Sequence, residues 1–463
     1  MKITVKNLGP IKEAEMELLK PLTIFAGPNG TGKTYMAYLL HALYSKDDSD
    51  EFNELFQNLV PYTDKEDDQE ITFGSKEVRT FLAEEVLRIT KDLPSIFGMS
   101  RSEADNIFSQ FSLSLDMGDA ELEDRLDKAV CRQEVSAYDF KWEMIFKNRQ
   151  VSIHILNRDW EHQAAAGHPE IPRDTYSRYF TYVRRLFLRN LCHRICYGVV
   201  GRCDMLTSER NSVHEFASDI LYKRSNRVSA YQELEETDQG SQTEIGVPHY
   251  PQAVHENLIF AYEPGRQKTA GEEFILESRR LEDEMLRGNL EVDGANKVWL
   301  KIQNKMVPLQ SCSSSAKALA PLVLYLRFMA RSGDVLIMDE PEMNLHPDLQ
   351  IKLAHAFVRL VNKGLKILVS THSDYFLREF NNAIMAGRLS EGDKREVLSE
   401  ADVDDNEAVK GENVGAWYFN FDSDDKVKVR SVAVETDGFT IDSVDDAIRE
   451  QDRRGDLLFD AVS

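Results

Sequence analysis

The octapeptide from Gly27 to Thr34, GPNGTGKT, limits what this chain can fold into more than any other stretch. It follows an apolar run, Leu22 to Ala26, with the character of a buried strand, and it opens a helical-looking segment, Tyr35 to Leu43. Strand, glycine loop and helix together form the context of a phosphate-binding loop. Gly27, Gly30 and Gly32 let the backbone turn its N–H groups inward, so that a polyphosphate meets a nest of amide donors at the positive end of a helix. The expected contacts are Asn29, Gly30, Thr31, Gly32, Lys33 and Thr34. Lys33 supplies a full charge to the phosphates, and the Thr34 hydroxyl suits a Mg²⁺ ion.

Composition restricts the partners. The 463 residues leave room for more than one domain, and a net charge of −23 argues against a chain-wide basic surface, so any nucleic-acid contact must come from a local patch. No apolar run is long enough for a membrane span, and the start, Met1 to Lys6, lacks the apolar core of a signal peptide. A cytoplasmic location is therefore expected. Five cysteines without framework spacing suit free thiols in a reducing compartment. Cys192, His193, Cys196 and Cys203 offer two readings, core thiols on the apolar face of a helix or ligands of a zinc ion.

In chain order, residues 1–45 read as a small β-rich start ending in the phosphate loop and its helix. Residues 46–290 read as a mostly helical insertion, entered through a strongly acidic and partly disordered stretch between Lys46 and Glu70. Helices are expected over Val78–Leu93 and within Glu103–Val130, and strand over Phe140–Leu156. The helix from Tyr176 to Val199 carries Arg178, Arg185, Arg189 and His193 on one face. That face is either solvated and paired with acids or a contact for nucleic acid or an acidic partner. A loop is expected at Gln239–Tyr250, and a strand pair around the turn Asp293–Asn296 signals the return to a compact core over 291–390. Residues 391–463, with 21 acids against 9 basic residues, read as a small acidic α/β segment.

Three further motifs follow in order. Gln310 to Lys317 is a serine-rich turn opening a helix, whose hydroxyls cap that helix or face an anion. Asp334 to Pro341 is an apolar strand ending in two acids: Asp339 suits Mg²⁺, and Glu340 suits the polarising of an attacking water. Ile367 to Ser373 is a second buried strand, ending in His372 about 30 residues later. In a parallel sheet these strand ends converge on the phosphate loop.

Together these residues resemble the ATP-binding-cassette (ABC-type) P-loop ATPases that include RecF, the SMC heads and the overcoming-lysogeny (OLD) family, with GPNGTGKT as Walker A, Ser313 to Ser315 as signature turn, LIMDEPEMNLHP as Walker B and D-loop, and VSTHS as the switch histidine. The resemblance covers residues 1–45 and about 295–380. Within that group, the wording LGPIKEAEMELLKPLTIFAGPNGTGKT, DEPEMNLHP and Thr207-Ser-Glu-Arg-Asn-Ser212 is similar to the ATPase subunits of bacterial anti-phage systems, the PtuA type of Septu and related retron ATPases. The resemblance implies an α/β head of mixed sheet and flanking helices interrupted by the insertion, and ATP and Mg²⁺ as ligands. It also implies head-to-head dimers in which Ser313 or Ser314 closes on the partner's nucleotide, and a separate HNH nuclease of PtuB type; no nuclease site is expected in this chain. Arg210 lies where relatives carry an arginine.

Two departures bear on rate. Relatives have glycine where this chain has Ser315 and glutamine near Lys317, and the missing glycine argues for slow hydrolysis. Two rival functions stand beside nuclease control: a RecF-like DNA-binding repair factor, marked by salt-dependent duplex binding that disappears when Arg185 and Arg189 become glutamate, and an ATP-bound scaffold that sequesters a toxin. Glu340→Ala is expected to leave ATP binding intact while abolishing phosphate release; equal loss of binding and release, measured together, would remove the assignment of Glu340 as the water-polarising acid.

Overall fold

The computed structural model describes residues 1–17, 19–45, 69–137, 140–157, 173–199, 201–213, 215–217, 220, 249–266, 268–390, 392, 394–422, 424 and 426–462. The acidic entry over 46–68, the loop expected over 239–248 and the side chain of Arg178 lie outside the described residues. The chain divides into two compact units, one of residues 1–4, 43–91 and 113–200, the other of residues 5–42, 92–112 and 201–463.

The larger unit is built on a mixed sheet. Its strands run in the order Ile11–Glu17, Val427–Val432, Val414–Phe421, Leu22–Ala26, Lys366–Thr371, Val335–Asp339 and Cys203–Leu206. Leu22–Ala26 pairs in parallel with both Lys366–Thr371 and Val414–Phe421, and Val335–Asp339 pairs in parallel with Lys366–Thr371 and Cys203–Leu206. Every residue of Leu22–Ala26 and of Val335–Asp339 is buried, as expected of central parallel strands covered on both faces, which read as unbroken apolar runs. One core joins Ile24, Leu336 and Val369 of these strands to Leu322 of the helix Ser314–Phe328, Phe357 of Pro347–Asn362 and Phe380 of Asp374–Ala386. The α/β head of sheet and flanking helices expected from the sequence is thus present. A separate three-stranded antiparallel sheet, Asn289–Val292, Val298–Ile302 and Lys305–Pro308, leads into the serine turn.

The C-terminal end of the expected insertion shifts. Residues 201–290 belong with the head unit: Cys203–Leu206 pairs with Val335–Asp339, and Asn257 of the helix Gln252–Tyr262 donates through Nδ2 to Met205 O at 2.5 Å. A four-residue strand is too short to show a period, which is why the sequence reads as helical there. Residues 391–463 are no separate segment either, because Val414–Phe421 lies directly against the phosphate-loop strand.

The smaller unit is less helical than expected. It holds a four-stranded antiparallel sheet in the order Gln69–Thr72, Gln150–Asn157, Phe140–Lys147 and Cys131–Ala137, with Trp142 and Phe146 fully buried. Arg125 caps the end of the helix Arg173–Tyr197, donating through Nη1 to Ile195 O at 2.8 Å and Cys196 O at 3.0 Å. The basic face of that helix is a correction to the sequence reading. Arg189 and His193 are buried, as is their neighbour Arg184, and Arg185 is half-buried, so the described part of the stripe faces the unit's interior rather than presenting a surface for nucleic acid. Burial, with Cys196 and with Glu77, Glu84 and Glu85 of the helix Ser75–Phe97, raises the Cys192 thiol far above its ordinary pKa, and burial lowers the pKa of Arg184 and Arg185. Burial and Glu85 push Glu84 itself up to about 7, the sign of carboxylates facing an interior. Cys192 and Cys196 are core thiols beside them.

A buried ion network ties together the helices behind the head's sheet. Arg359 is 1% exposed and donates to Glu277 at 2.5 Å, Glu407 at 2.7 Å and Glu284 at 3.2 Å, while His355 on the same helix meets Glu379 at 2.7 Å and Glu407 at 2.9 Å. Burial works against the imidazolium, but Glu379 and Glu407 outweigh it and raise His355 to about 9. Burial likewise opposes the Glu407 carboxylate, which His355, the Asp404 N–H and Arg359 hold down at about 2. The raised histidine contributes stability fully below its unfolded value of about 6.5 and loses it as pH rises through 9; the depressed glutamate contributes above about 4.5 and loses it as pH falls through 2. Urea unfolding of the parent chain should therefore show stability falling by about 2 kcal/mol between pH 6.5 and 9.5, and His355→Gln should flatten that slope. A parent profile that is level over this range would exclude the charged pair.

Candidate functional site

The site sits where three adjacent strands end. In the parallel register Ala26 stands beside Thr371, and Ser370 beside Asp339, so the phosphate loop, the acidic turn and the histidine turn leave the sheet at one level. Gly27 (φ 145°) opens the loop under a tight constraint, since a Cβ there would meet Phe419 O at 2.1 Å. Its lack of a side chain is thus required by the neighbouring strand as well as by the turn. Gly30 (φ 78°) and Gly32 (φ 84°) are also in the left-handed region that brings amide N–H groups inward. Thr31 is buried and its Oγ1 donates to Pro28 O at 2.8 Å, whereas Asn29 and Gly30 are exposed.

Lys33 begins the helix Lys33–Tyr44 and folds over the loop, its Nζ donating to Gly27 O and Pro28 O, each at 2.8 Å. Burial lowers its pKa, and the charges of Glu340, Asp339 and Glu342 act in the opposite sense. Thr34 Oγ1 donates to Asp339 Oδ2 at 2.9 Å, and Ser370 Oγ donates to Asp339 Oδ1. Asp339 is 1% exposed; burial raises its pKa, while these two hydroxyls favour the charged form. The hydroxyl of the loop and the carboxylate of the acidic strand therefore meet at one point.

Glu340 follows with φ 46°, a conformation costly for a side chain-bearing residue and concentrated at functional sites, and its N–H donates to Ser370 O at 3.0 Å. Arg210 explains how the turn is held. It is 1% exposed and donates through Nη1 to Asp339 O at 2.7 Å and Thr207 O at 3.2 Å, through Nη2 to Glu340 O at 2.7 Å and Pro341 O at 3.3 Å, and through Nε to Ala318 O at 3.3 Å. Burial pulls the guanidinium down to about 10, against the charges of Asp339, Glu342 and Glu340.

Glu342 was not singled out from the sequence, although it lies two residues past Glu340 in the same acidic word. It is 7% exposed, and its Oε1 accepts from Thr371 Oγ1 at 2.8 Å and from the His372 N–H at 2.9 Å, with His372 Nδ1 3.4 Å away. Its Oε2 is buried and has no hydrogen-bond partner among the described residues. His372 itself is exposed, on the rim of a cleft of about 500 Å³ lined also by Glu340, Glu342, Met343, Gln350 and Tyr375. Ser370 was also missed, because a serine inside an apolar strand carries no signal until its neighbour is known.

Ser313 caps the helix Ser314–Phe328, its Oγ accepting from the Ala316 N–H at 3.2 Å and lying 3.0 Å from Ser315 Oγ. Ser313 and Ser314 are both exposed, and no hydrogen bond among the described residues joins them to the phosphate loop. Lys317 is held within its own chain by Glu215 at 3.4 Å and Gln310 O at 3.3 Å.

The residues present fit a Mg²⁺-nucleotide. The left-handed glycines form an amide nest, Lys33 stands over it, and the Thr34 hydroxyl and Asp339 carboxylate form an all-oxygen pair of the hard type that Mg²⁺ takes, with Glu342 Oε2 a further buried acceptor. No curated protein matches this chain in sequence. Among solved structures, it is similar to an SMC head bound to the C-winged helix domain of ScpA, at 10% identity over 94% of this chain and 97% of that one, TM-score 0.37. It is also similar to the SMC head domain with an extended coiled coil bound to the C-terminal domain of ScpA from Pyrococcus furiosus, at 10% identity over 98% of each chain, TM-score 0.34. A family model for the AAA ATPase domain matches residues 1–166 and 209–377, spanning both the phosphate loop and the acidic turn that meets it, and the chain belongs to that family of ATPases.

Proposed function

We propose that this ATPase is the ABC-type nucleotide-gated subunit of a bacterial anti-phage complex: it dimerises around ATP and controls a separate HNH-type nuclease. The observation that carries the ATP chemistry is the meeting of Thr34 Oγ1 with Asp339 Oδ2 at 2.9 Å at the mouth of the loop. Lys33 would exchange its two loop carbonyls for phosphate oxygens, and Thr34 and Asp339 would hold Mg²⁺, which when bound would supply positive charge for the phosphate oxygens that become more negative as the phosphoanhydride bond breaks. Glu340, placed by its left-handed backbone, would polarise the attacking water. His372 stands on the cleft rim with its backbone N–H on Glu342, and from there would meet the γ-phosphate.

Dimerisation is supported by the serine turn. Ser313 and Ser314 are exposed at a helix N-terminus, where a partner's phosphate would find both hydroxyls and the positive end of the helix. Ser315, in place of glycine, supports slow turnover. The nuclease assignment rests on the resemblance of the motif wording to PtuA-type and retron ATPases. The rival reading as a DNA-binding repair factor loses its main support with the burial of Arg189 and His193.

Solution mass and phosphate release measured together test this. ATP with Mg²⁺ should give or stabilise a dimer with slow turnover, Glu340→Gln should keep the ATP-bound dimer while cutting release at least about 100-fold, and Lys33→Ala should lose nucleotide binding. A monomer unaffected by ATP would overturn the gating. For the effector, Glu340→Gln protein purified from its native cells should bring down an HNH-type subunit that cleaves DNA; an active ATPase that purifies alone would overturn the nuclease partner.

A further inference from the structure

The ATPase reading supplies no task for the buried Arg210. Buried cations are ordinarily held by a carboxylate, since taking the charge out of water is costly. Arg210 instead directs its hydrogen bonds to five backbone carbonyls: Thr207 on its own turn, Ala318 on the helix Ser314–Phe328, and the consecutive Asp339, Glu340 and Pro341. Three successive carbonyls can converge on one guanidinium only if the chain turns sharply there, and the turn is the left-handed Glu340 at φ 46°. The side chain thus offsets the cost of the backbone geometry that aims the Glu340 carboxylate. Its third arm reaches Ala318, which is in the second turn of the helix capped by Ser313.

We infer that Arg210 is a positioning residue for ATP hydrolysis, a guanidinium cross-link that places Glu340 and ties the acidic turn to the serine-capped helix, so that engagement of the serine turn and alignment of Glu340 are coupled. The inference rests on the reading of Glu340 as the water-polarising acid. The fork geometry is what matters: a lysine ammonium keeps the charge but has three donors on one atom and cannot span carbonyls from three segments.

The test compares Arg210→Lys and Arg210→Met with Glu340→Gln and Ser313→Ala, reading thermal unfolding, affinity for a fluorescent ATP analogue, phosphate release and ATP-dependent mass. Arg210→Lys is expected to stay folded and bind nucleotide within about threefold of the parent while kcat falls about 30-fold or more. In a further variant, Arg210→Ala, added methylguanidine should restore part of the lost kcat, and it should restore none in Glu340→Gln. Because the two arms are coupled, Ser313→Ala and Arg210→Lys should combine non-additively in kcat. Should Arg210→Met fail to fold, Arg210→Lys, which retains charge and most of the volume, carries the comparison. Folded Arg210→Lys with kcat within about threefold of the parent, or with binding and turnover falling in proportion, overturns the positioning role; strict additivity with Ser313→Ala overturns the coupling. Parental turnover in Glu340→Gln would instead overturn the reading of Glu340, a result separable from either.

Discussion

Parallel registry of three neighbouring strands is the constraint on which the site depends. Because Leu22–Ala26, Lys366–Thr371 and Val335–Asp339 run the same way and end together, the three turns that follow them open onto one edge of the sheet. The contacts across that edge are short-range and polar: Thr34 and Ser370 on the two oxygens of Asp339, Thr371 and the His372 N–H on Glu342. A shift of one residue in any strand would reverse which side chains face each layer and dissolve these contacts, so the apolar core that holds the registry also holds the chemistry. Residues as distant in sequence as Thr34 and Asp339 need no flexible reach to meet.

Buried charge is handled differently in the parts of the molecule. Behind the head's sheet, Arg359 and His355 are matched by carboxylates, an arrangement whose worth varies with pH. At the acidic turn, Arg210 is matched by carbonyl dipoles, which do not titrate. The difference suits the two settings, one locking helices together and the other holding a backbone bend beside Asp339 and Glu340. In the smaller unit Arg184, Arg189 and His193 of the basic helix are buried.

Legibility followed the range over which each signal acts. The loop Gly27–Thr34, the acids Asp339 and Glu340 and the serine cap at Ser313 are local words, each with its strand or helix beside it, and each stands where its spacing placed it. The strand Cys203–Leu206 was hidden because four residues hold too little period, and the role of Val414–Phe421 because a strand does not announce its neighbours. Arg185, Arg189 and His193 line a helix face in the sequence, but whether such a face meets water or packs inside is set by distant segments that local spacing does not encode.

The sequence by itself determined the ATPase class and offered candidate residues for it, because phosphate binding requires glycine backbone freedom, a lysine, a hydroxyl and paired acids in a fixed local order. Tertiary structure alone decided which of these meet and what supports them. Gly27 must be glycine because Phe419 O approaches it, Glu342 anchors the histidine turn because Thr371 ends a neighbouring strand, and Arg210 braces Glu340 because packing brings Thr207, Ala318 and Asp339 around one guanidinium. Each of these depends on contacts between distant segments. Local propensity cannot encode them, since the energy that selects them comes from burying the shared core.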